Sequence, residues 1–452
     1  MTDLHRLRGR ITALVLSEAW RRRAALWGGA VAVALVAILF AKASDAAFHV
    51  FQRITTHSPW WALLLTPGIF ALLAWLTSGV LKPTRGSGIP QVIAALDKAD
   101  EPFRKTNLSP AVSAGKLLLT SLSLLGGASV GREGPTVHVG ASLMYLFGRW
   151  FGFKDPRELS HFLLAGGAAG IAAAFNTPLG GIVFAIEELS RRLQDRSSGL
   201  MLAAIVIAGL VAVSAFGNLS YFGRVRAEVL SWSLLLPGAL VALACGLLGG
   251  LMSRLMLASF TGLPDRFCAY RRKRPVTFAA ICGFVVAVIA VVSDGAAVGV
   301  GHEHTKQLLD QATDPGGSHQ PLLFTGLKFI ASWLSAWAGV PGGVFGPSLS
   351  LGAGLGADVA WLLDSPHGVA LIALGMCGFL AAVTQTPITA MIIVMEMTDG
   401  HNMVLSLMAS ALLASLVSRM ISRPLYSTMS LLMMRSLRDR TDPAPQPEPL
   451  GR

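Results

Sequence analysis

Charge is what this sequence has least of. Asp, Glu, Lys and Arg together make up 14% of its 452 residues, where a water-soluble chain carries about 25%. A chain of this length would ordinarily divide into about three soluble domains, each needing a polar surface. The charges present cannot cover such surfaces, so the excess apolar surface faces lipid. Soluble enzymes, secreted disulfide scaffolds and disordered regulators are thereby excluded. Cysteine is scarce too. Cys245, Cys268, Cys282 and Cys377 are widely spaced, with no C-x-x-C pair, and read as small packing residues rather than a disulfide framework or metal site. No long hydrophilic interval separates residues 24 and 436, and the phosphate-binding pattern G-x-x-x-x-G-K-[ST] is missing, which argues against ATP-driven work and nucleotide partners.

What charge there is leans basic, with 37 Lys and Arg against 25 Asp and Glu. The positions point to a membrane rather than to nucleic acid. Arg6, Arg8, Arg10, Arg21, Arg22 and Arg23 precede the first apolar run, and Arg271, Arg272, Lys273 and Arg274 fill a short connection between two others. Basic excess beside short membrane loops marks the cytoplasmic side. The N-terminus, the 264–275 connection, the Arg191, Arg192, Arg196 cluster and the basic tail from Arg435 to Arg440 are expected there. The charged N-terminal region is too long, and lacks a cleavage site, for a removable signal. An uncleaved first span is expected.

A spanning helix needs about 20 apolar residues. Spans are expected at 24–41, 60–81, 198–217, 231–256, 276–292, 322–340, 367–383 and 402–420. Shorter apolar pieces, broken by Gly and Pro, fall at 88–97, 111–128, 134–150, 162–175, 178–189, 346–362, 386–398 and 424–436. Broken helices at membrane depth survive only inside protein or beside a polar cavity. Their clustering in 85–190 and again in 340–430 fits an inverted repeat with its site near the midplane. The expected fold is an all-α polytopic membrane protein, an inverted-repeat bundle of many tilted and broken helices. It divides into a basic segment 1–23, half-repeats 24–220 and 221–436, and a short disordered tail 437–452 with no C-terminal regulatory domain.

Four breaks carry the chemistry: Gly86-Ser87-Gly88-Ile89-Pro90, Gly131-Arg132-Glu133-Gly134-Pro135, Gly342-Gly343-Val344-Phe345-Gly346-Pro347 and Arg423-Pro424-Leu425-Tyr426. Each puts Pro at a helix start, where its missing N–H costs nothing, and leaves free N–H groups at a helix N-terminus. Such ends attract anions without a full cation. That suits an anion which must also be released. The short motif Gly-Ser-Gly-x-Pro alone reads as a loop; four breaks in one membrane chain do not.

In order and content these motifs resemble the chloride channel/transporter (CLC) family, from about residue 25 to 436. Gly115-Lys116, the run Ala172-Ala173-Ala174-Phe175-Asn176-Thr177-Pro178-Leu179 and Val394-Met395-Glu396-Met397-Thr398-Asp399 extend the match. The resemblance implies a chloride site made by the Ser87 and Tyr426 hydroxyls and the backbone N–H groups of Val344 and Phe345. It implies an outer anion site at Arg132, Glu133 and Gly134, in which the Glu133 carboxylate replaces chloride and acts as gate. It also implies that Glu188 is the inner proton acceptor of an exchanger. On position alone, Glu187 and Glu188 read equally well as interfacial charges paired with Arg191 and Arg192.

Two departures stand out. Gln91 and Ile93 follow the first motif where many relatives have acidic residues, leaving a less polar inner proton route. Ser87 itself fits chloride, where proline would suggest nitrate. His302-Glu303-His304 has too few ligands for zinc and is expected to be a solvated loop. Lys116, Lys328 and Glu396 are intramembrane ionisable residues and candidates for function. The resulting expectation is a secondary active transporter exchanging chloride for protons, without cofactor. It would be a multi-pass protein of the bacterial inner membrane, a homodimer within the bilayer, with both termini cytoplasmic. A passive voltage- or pH-gated chloride channel using the same site is the alternative. An intramembrane enzyme or a non-transporting scaffold is the remaining alternative; an enzyme would need a nucleophile–base pair or metal set at membrane depth, and apart from His302-Glu303-His304 none is visible in the sequence.

Overall fold

In the computed structural model, residues 18–79, 81–98, 101–189, 198–216, 222, 232–262, 266–313 and 322–441 are described. Arg6, Arg8, Arg10, Arg191, Arg192 and Arg196, the junction between half-repeats near 220–230 and residues 442–452 of the tail lie outside them, apart from Phe222.

The described chain is helical. The first half carries α1 (Glu18–His57), α2 (Ala62–Ser78), α3 (Ile89–Lys98), α4 (Glu101–Asn107), α5 (Pro110–Leu125), α6 (Glu133–Trp150), α7 (Pro156–Phe175), α8 (Pro178–Phe184) and α9 (Ser198–Phe216). The second carries α10 (Trp232–Thr261), α11 (Arg266–Lys273), α12 (Pro275–Val292), α13 (His302–Thr313), α14 (Leu323–Ala338), α15 (Phe345–Leu362), α16 (Gly368–Thr384), α17 (Pro387–Thr398), α18 (Val404–Ile421) and α19 (Leu425–Thr441). Seven helical stretches among the described residues are long and apolar enough to cross a membrane. At 40 residues, α1 is about 60 Å long, twice a hydrocarbon core of about 30 Å, so it runs steeply tilted or projects beyond the bilayer.

Lipid explains the surface. Leu39, Leu64, Leu118, Leu236, Leu416 and Met420 are large apolar side chains turned outward, a pattern that water-facing proteins avoid on this scale. Exposed Trp60, Trp61, Trp150 and Trp361 suit the headgroup level. The interior is built from α6, α7, α15 and α16. There Gly140 lies against the backbone of Gly166, and Gly352 against that of Gly375, with no room for a Cβ at any of them. Small residues let membrane helices approach backbone to backbone.

The two series correspond feature by feature. Helices α6 and α15 each have 18 residues and begin two residues after Gly131 and Gly343. Those two glycines exchange backbone hydrogen bonds of 2.7 and 2.6 Å as an antiparallel bridge. Helices α7 and α16 both end in a left-handed residue, Asn176 (φ 58°) and Gln385 (φ 59°). Each of these is followed by Thr-Pro and a short helix.

Two sequence expectations need correction. His302, Glu303 and His304 form the first turn of α13 rather than a loop. They follow Gly299 and Gly301, both left-handed, just as α3 follows left-handed Gly86 and Gly88. The backbone repeat, not a capping side chain, starts that helix. Second, α19 continues to Thr441, past the expected start of a disordered tail at residue 437. The 264–275 connection is itself mostly helical, as α11.

Candidate anion site and gate

Four helix starts are capped by side chains; several are not, α6 and α15 among them. Ser109 accepts a hydrogen bond from Val112 N at the start of α5, and Asp155 from Arg157 N at the start of α7. Glu396 takes Leu179 N and Gly180 N at the start of α8, and Glu187 takes Ile388 N and Thr389 N at the start of α17. Helices α6 and α15 have no side-chain cap on their preceding residues, Arg132 and Val344. Their free N–H groups converge where Gly131 meets Gly343.

Glu133 uses one of those ends. Its buried carboxylate accepts a 3.3 Å hydrogen bond from Gly346 N, in the first turn of α15. A carboxyl group thus sits at an otherwise uncapped helix N-terminus. Only about 10 Å³ of space remains beside it, walled by Phe175, Phe222, Val300, His302, Thr305, Gly346 and Leu349. That is about one water molecule. Its neighbour Arg132 turns away, donating to Ala41 O at 3.1 Å and pairing with Asp45 at 2.5 Å.

Two larger cavities approach this point. One, of about 600 Å³, holds Arg132, Asp45, His49, His302, Glu303 and Lys306. The other, of about 390 Å³, ends at Ser87, Val344 and Tyr426. Glu133 lies between Arg132 of the first and Gly134, which packs so tightly on Ser87 that a Cβ would overlap its hydroxyl. The Ser87 and Tyr426 hydroxyls are both buried with no partner in good hydrogen-bond geometry, and they lie next to each other. Buried donors without acceptors are costly, and an anion between them would satisfy both. Phe345 supports the arrangement, stacking on Tyr426 with ring centroids 6.1 Å apart and 13° between planes.

The structure therefore gathers Ser87, Val344, Phe345, Tyr426, Glu133 and Gly134 into one neighbourhood, with Arg132 at its rim. Glu188 is buried, in a π-helical turn, Ala185–Leu189, that follows α8. Glu188 and Glu133 both lie in the neighbourhood of the Tyr426 hydroxyl.

The intramembrane lysines hold loops. Lys116 Nζ donates to Gly86 O at 3.2 Å, pinning the turn that carries Ser87. Lys328 Nζ donates to Gly299 O at 2.8 Å and Val298 O at 3.3 Å, pinning the corresponding turn that carries Val300. Gly346 abuts Val300 as Gly134 abuts Ser87. The repeat therefore offers a hydroxyl on one side of the site and an isopropyl group on the other. Sequence reasoning missed Asp45 as the partner of Arg132, and the capping role of Glu187 and Glu396. Partners more than 80 residues apart leave no local signal.

Residues 69–419 match the family described as voltage gated chloride channel. The chain belongs to the voltage-gated chloride channel (CLC) family. Its CLC relatives include the H(+)/Cl(-) exchange transporter ClcA of Vibrio parahaemolyticus, 32% identical over 82% of this chain and 79% of that protein. ClcA of Yersinia pestis is 31% identical over 82% of this chain and 78% of its own. The CLC fold is confirmed by a slow cyanobacterial Cl-/H+ antiporter, with TM-score 0.77 at 22% identity over 93% of this chain and 99% of that one. A eukaryotic CLC transporter superposes with TM-score 0.74 at 23% identity, over 92% and 74%. As a CLC protein, the chain is a multi-pass integral membrane protein and not an enzyme.

Proposed function

We propose that this protein exchanges chloride for protons across a membrane. The observation that carries the reading is the Glu133 carboxylate on Gly346 N, an anion mimic seated where two uncapped helices meet. While ionised, it fills the path; once protonated, it loses its hold on the helix end and chloride takes its place. Ser87, Tyr426 and the amides of Val344 and Phe345 hold chloride one step further in. Glu188 supplies the proton to Glu133 by a route separate from the anion's. Tyr426, within electrostatic reach of both glutamates, couples the two routes. The names of the relatives from Vibrio and Yersinia support exchange over a passive channel.

The same reading takes 24–220 and 221–436 as inverted halves and places both termini in the cytoplasm of a bacterial inner membrane. It takes the working unit as a homodimer with one path per subunit and no resident cofactor. Purified protein in liposomes tests the central claim. A chloride gradient should drive protons uphill. Chloride flux without proton movement would replace the exchanger with a channel.

A further inference from the structure

The cavity ending at Ser87 has an unused feature. Among the described residues its walls carry Lys82 and Arg85 and no Asp or Glu, whereas the cavity beside Arg132 mixes Lys306 with Asp45, Asp294 and Glu303. Arg85 is solvent-accessible yet held in place. Its guanidinium lies flat on Gly339, the left-handed C-cap of α14 (φ 79°), where a Cβ would strike Nε and Nη2. Beside it, Arg271 of α11 donates to Ser259 O, on the cavity wall, and stacks over Trp337 at 5.4 Å. The Arg271 guanidinium is pushed down to about 10, first by burial and then by the charge of Arg85.

Arg85 lines this cavity and Arg271 bonds its wall at Ser259, and among the described residues neither pairs with a carboxylate. An anion from solution would balance this positive charge. Chloride already has its own cage of hydroxyls and amides deeper in, and presents no pair of oxygens to a planar fork. Guanidinium groups match oxyanions bidentately. A space of about 390 Å³ has room for on the order of a dozen waters, enough for a hydrated polyatomic anion.

We propose that this vestibule binds a tetrahedral oxyanion, inorganic phosphate or a phosphomonoester, on Arg85 and Lys82 with Arg271 behind them, and that the bound anion blocks access to Ser87. The functional half rests on the transport reading above; the binding half does not. Calorimetric titration of the detergent-solubilised full chain with inorganic phosphate, at fixed ionic strength, tests binding alone. Saturable heat should appear in wild type and weaken at least tenfold in Arg85→Gln. In Lys306→Gln, on the other cavity, it should be unchanged. No saturable heat, or equal heat in Arg85→Gln, overturns the site. Phenyl phosphate, which adds an apolar body for Met256, Phe260 and Met429, should bind more tightly than phosphate if an organic phosphomonoester is the natural ligand, and equally if the free ion is.

Flux in liposomes tests the block. Each variant is compared with itself, with and without phosphate on both sides, so that a change in its own rate cancels. Phosphate should slow wild type several-fold and Arg85→Gln little. Phosphate that binds without slowing wild type overturns the block. A protein that moves no chloride at all, yet binds phosphate through Arg85, leaves the site standing and fails the transport reading instead.

Discussion

Glu187 and Glu396 cap each other's helices. Glu187 follows α8 and binds the N–H groups that open α17, with Thr389 Oγ1 added at 2.7 Å. Glu396, in the last turn of α17, binds those that open α8 at 3.1 and 2.8 Å. The exchange ties the two halves of the chain together. It also occupies two helix N-termini that would otherwise compete with the α6 and α15 ends for an anion.

Removing either cap should therefore destabilise the fold without touching the chloride site. A lost N-cap costs about 0.5–2 kcal/mol, and a carboxylate at a helix start adds a dipole term of similar size. Glu187→Ala and Glu396→Ala should each lower the melting temperature in detergent. Because they cap separate ends, the double variant should lower it by about the sum. A single variant as stable as wild type would mean that the caps contribute nothing.

Much of this arrangement was legible beforehand, and the reason is local. Gly-x-Gly and Pro start helices by backbone rules alone, so α3, α6, α15 and α19 open where Ile89, Glu133, Phe345 and Leu425 stand. Period and apolar length placed most spans within a few residues. What escaped depends on distance in the chain. The partner of Glu187 is Thr389 and that of Arg132 is Asp45, and nothing near either residue names its partner. The start of α13 escaped for a different reason. His302-Glu303-His304 was read for its ligands, while the signal lay just before it, in a Gly-x-Gly that repeats the one around Ser87.

Glu188→Gln should separate the two ions. It is nearly isosteric, so the buried turn after α8 should keep its shape and chloride should keep its path. Proton uptake by proteoliposomes in a chloride gradient should fall to background while chloride efflux persists. Undiminished pumping would remove Glu188 from the proton route.

Ser87→Pro should change selectivity. It deletes one of the two hydroxyl donors that face the site and leaves Tyr426 and the amides. The space against Gly134 also changes shape. Flux measured in nitrate and in chloride should shift toward nitrate. An unchanged ratio would show that the Ser87 hydroxyl does not touch the ion.

Glu133→Gln tests the gate itself. Glutamine matches protonated glutamic acid in size, so the variant removes charge with little change in volume. The ionised carboxylate gains about 1–2 kcal/mol from a helix N-terminus, which corresponds to roughly a five- to thirtyfold preference. That term is what chloride must displace, and in the variant it is gone. Chloride flux should then no longer follow pH: the wild-type protein should speed up as acid protonates Glu133, and the glutamine variant should stay flat at the open level. Proton coupling should vanish in the same variant, because no titratable group remains where the two routes meet. The sequence contributes a second check, since Val300 and not a hydroxyl faces Gly346 on the far side. With the carboxylate neutral, the amides of α15 are the main donors left for chloride there. Chloride efflux and proton uptake recorded at two pH values decide the matter. A variant that still pumps protons, or whose chloride flux still tracks pH as wild type does, would show that Glu133 is not the gate.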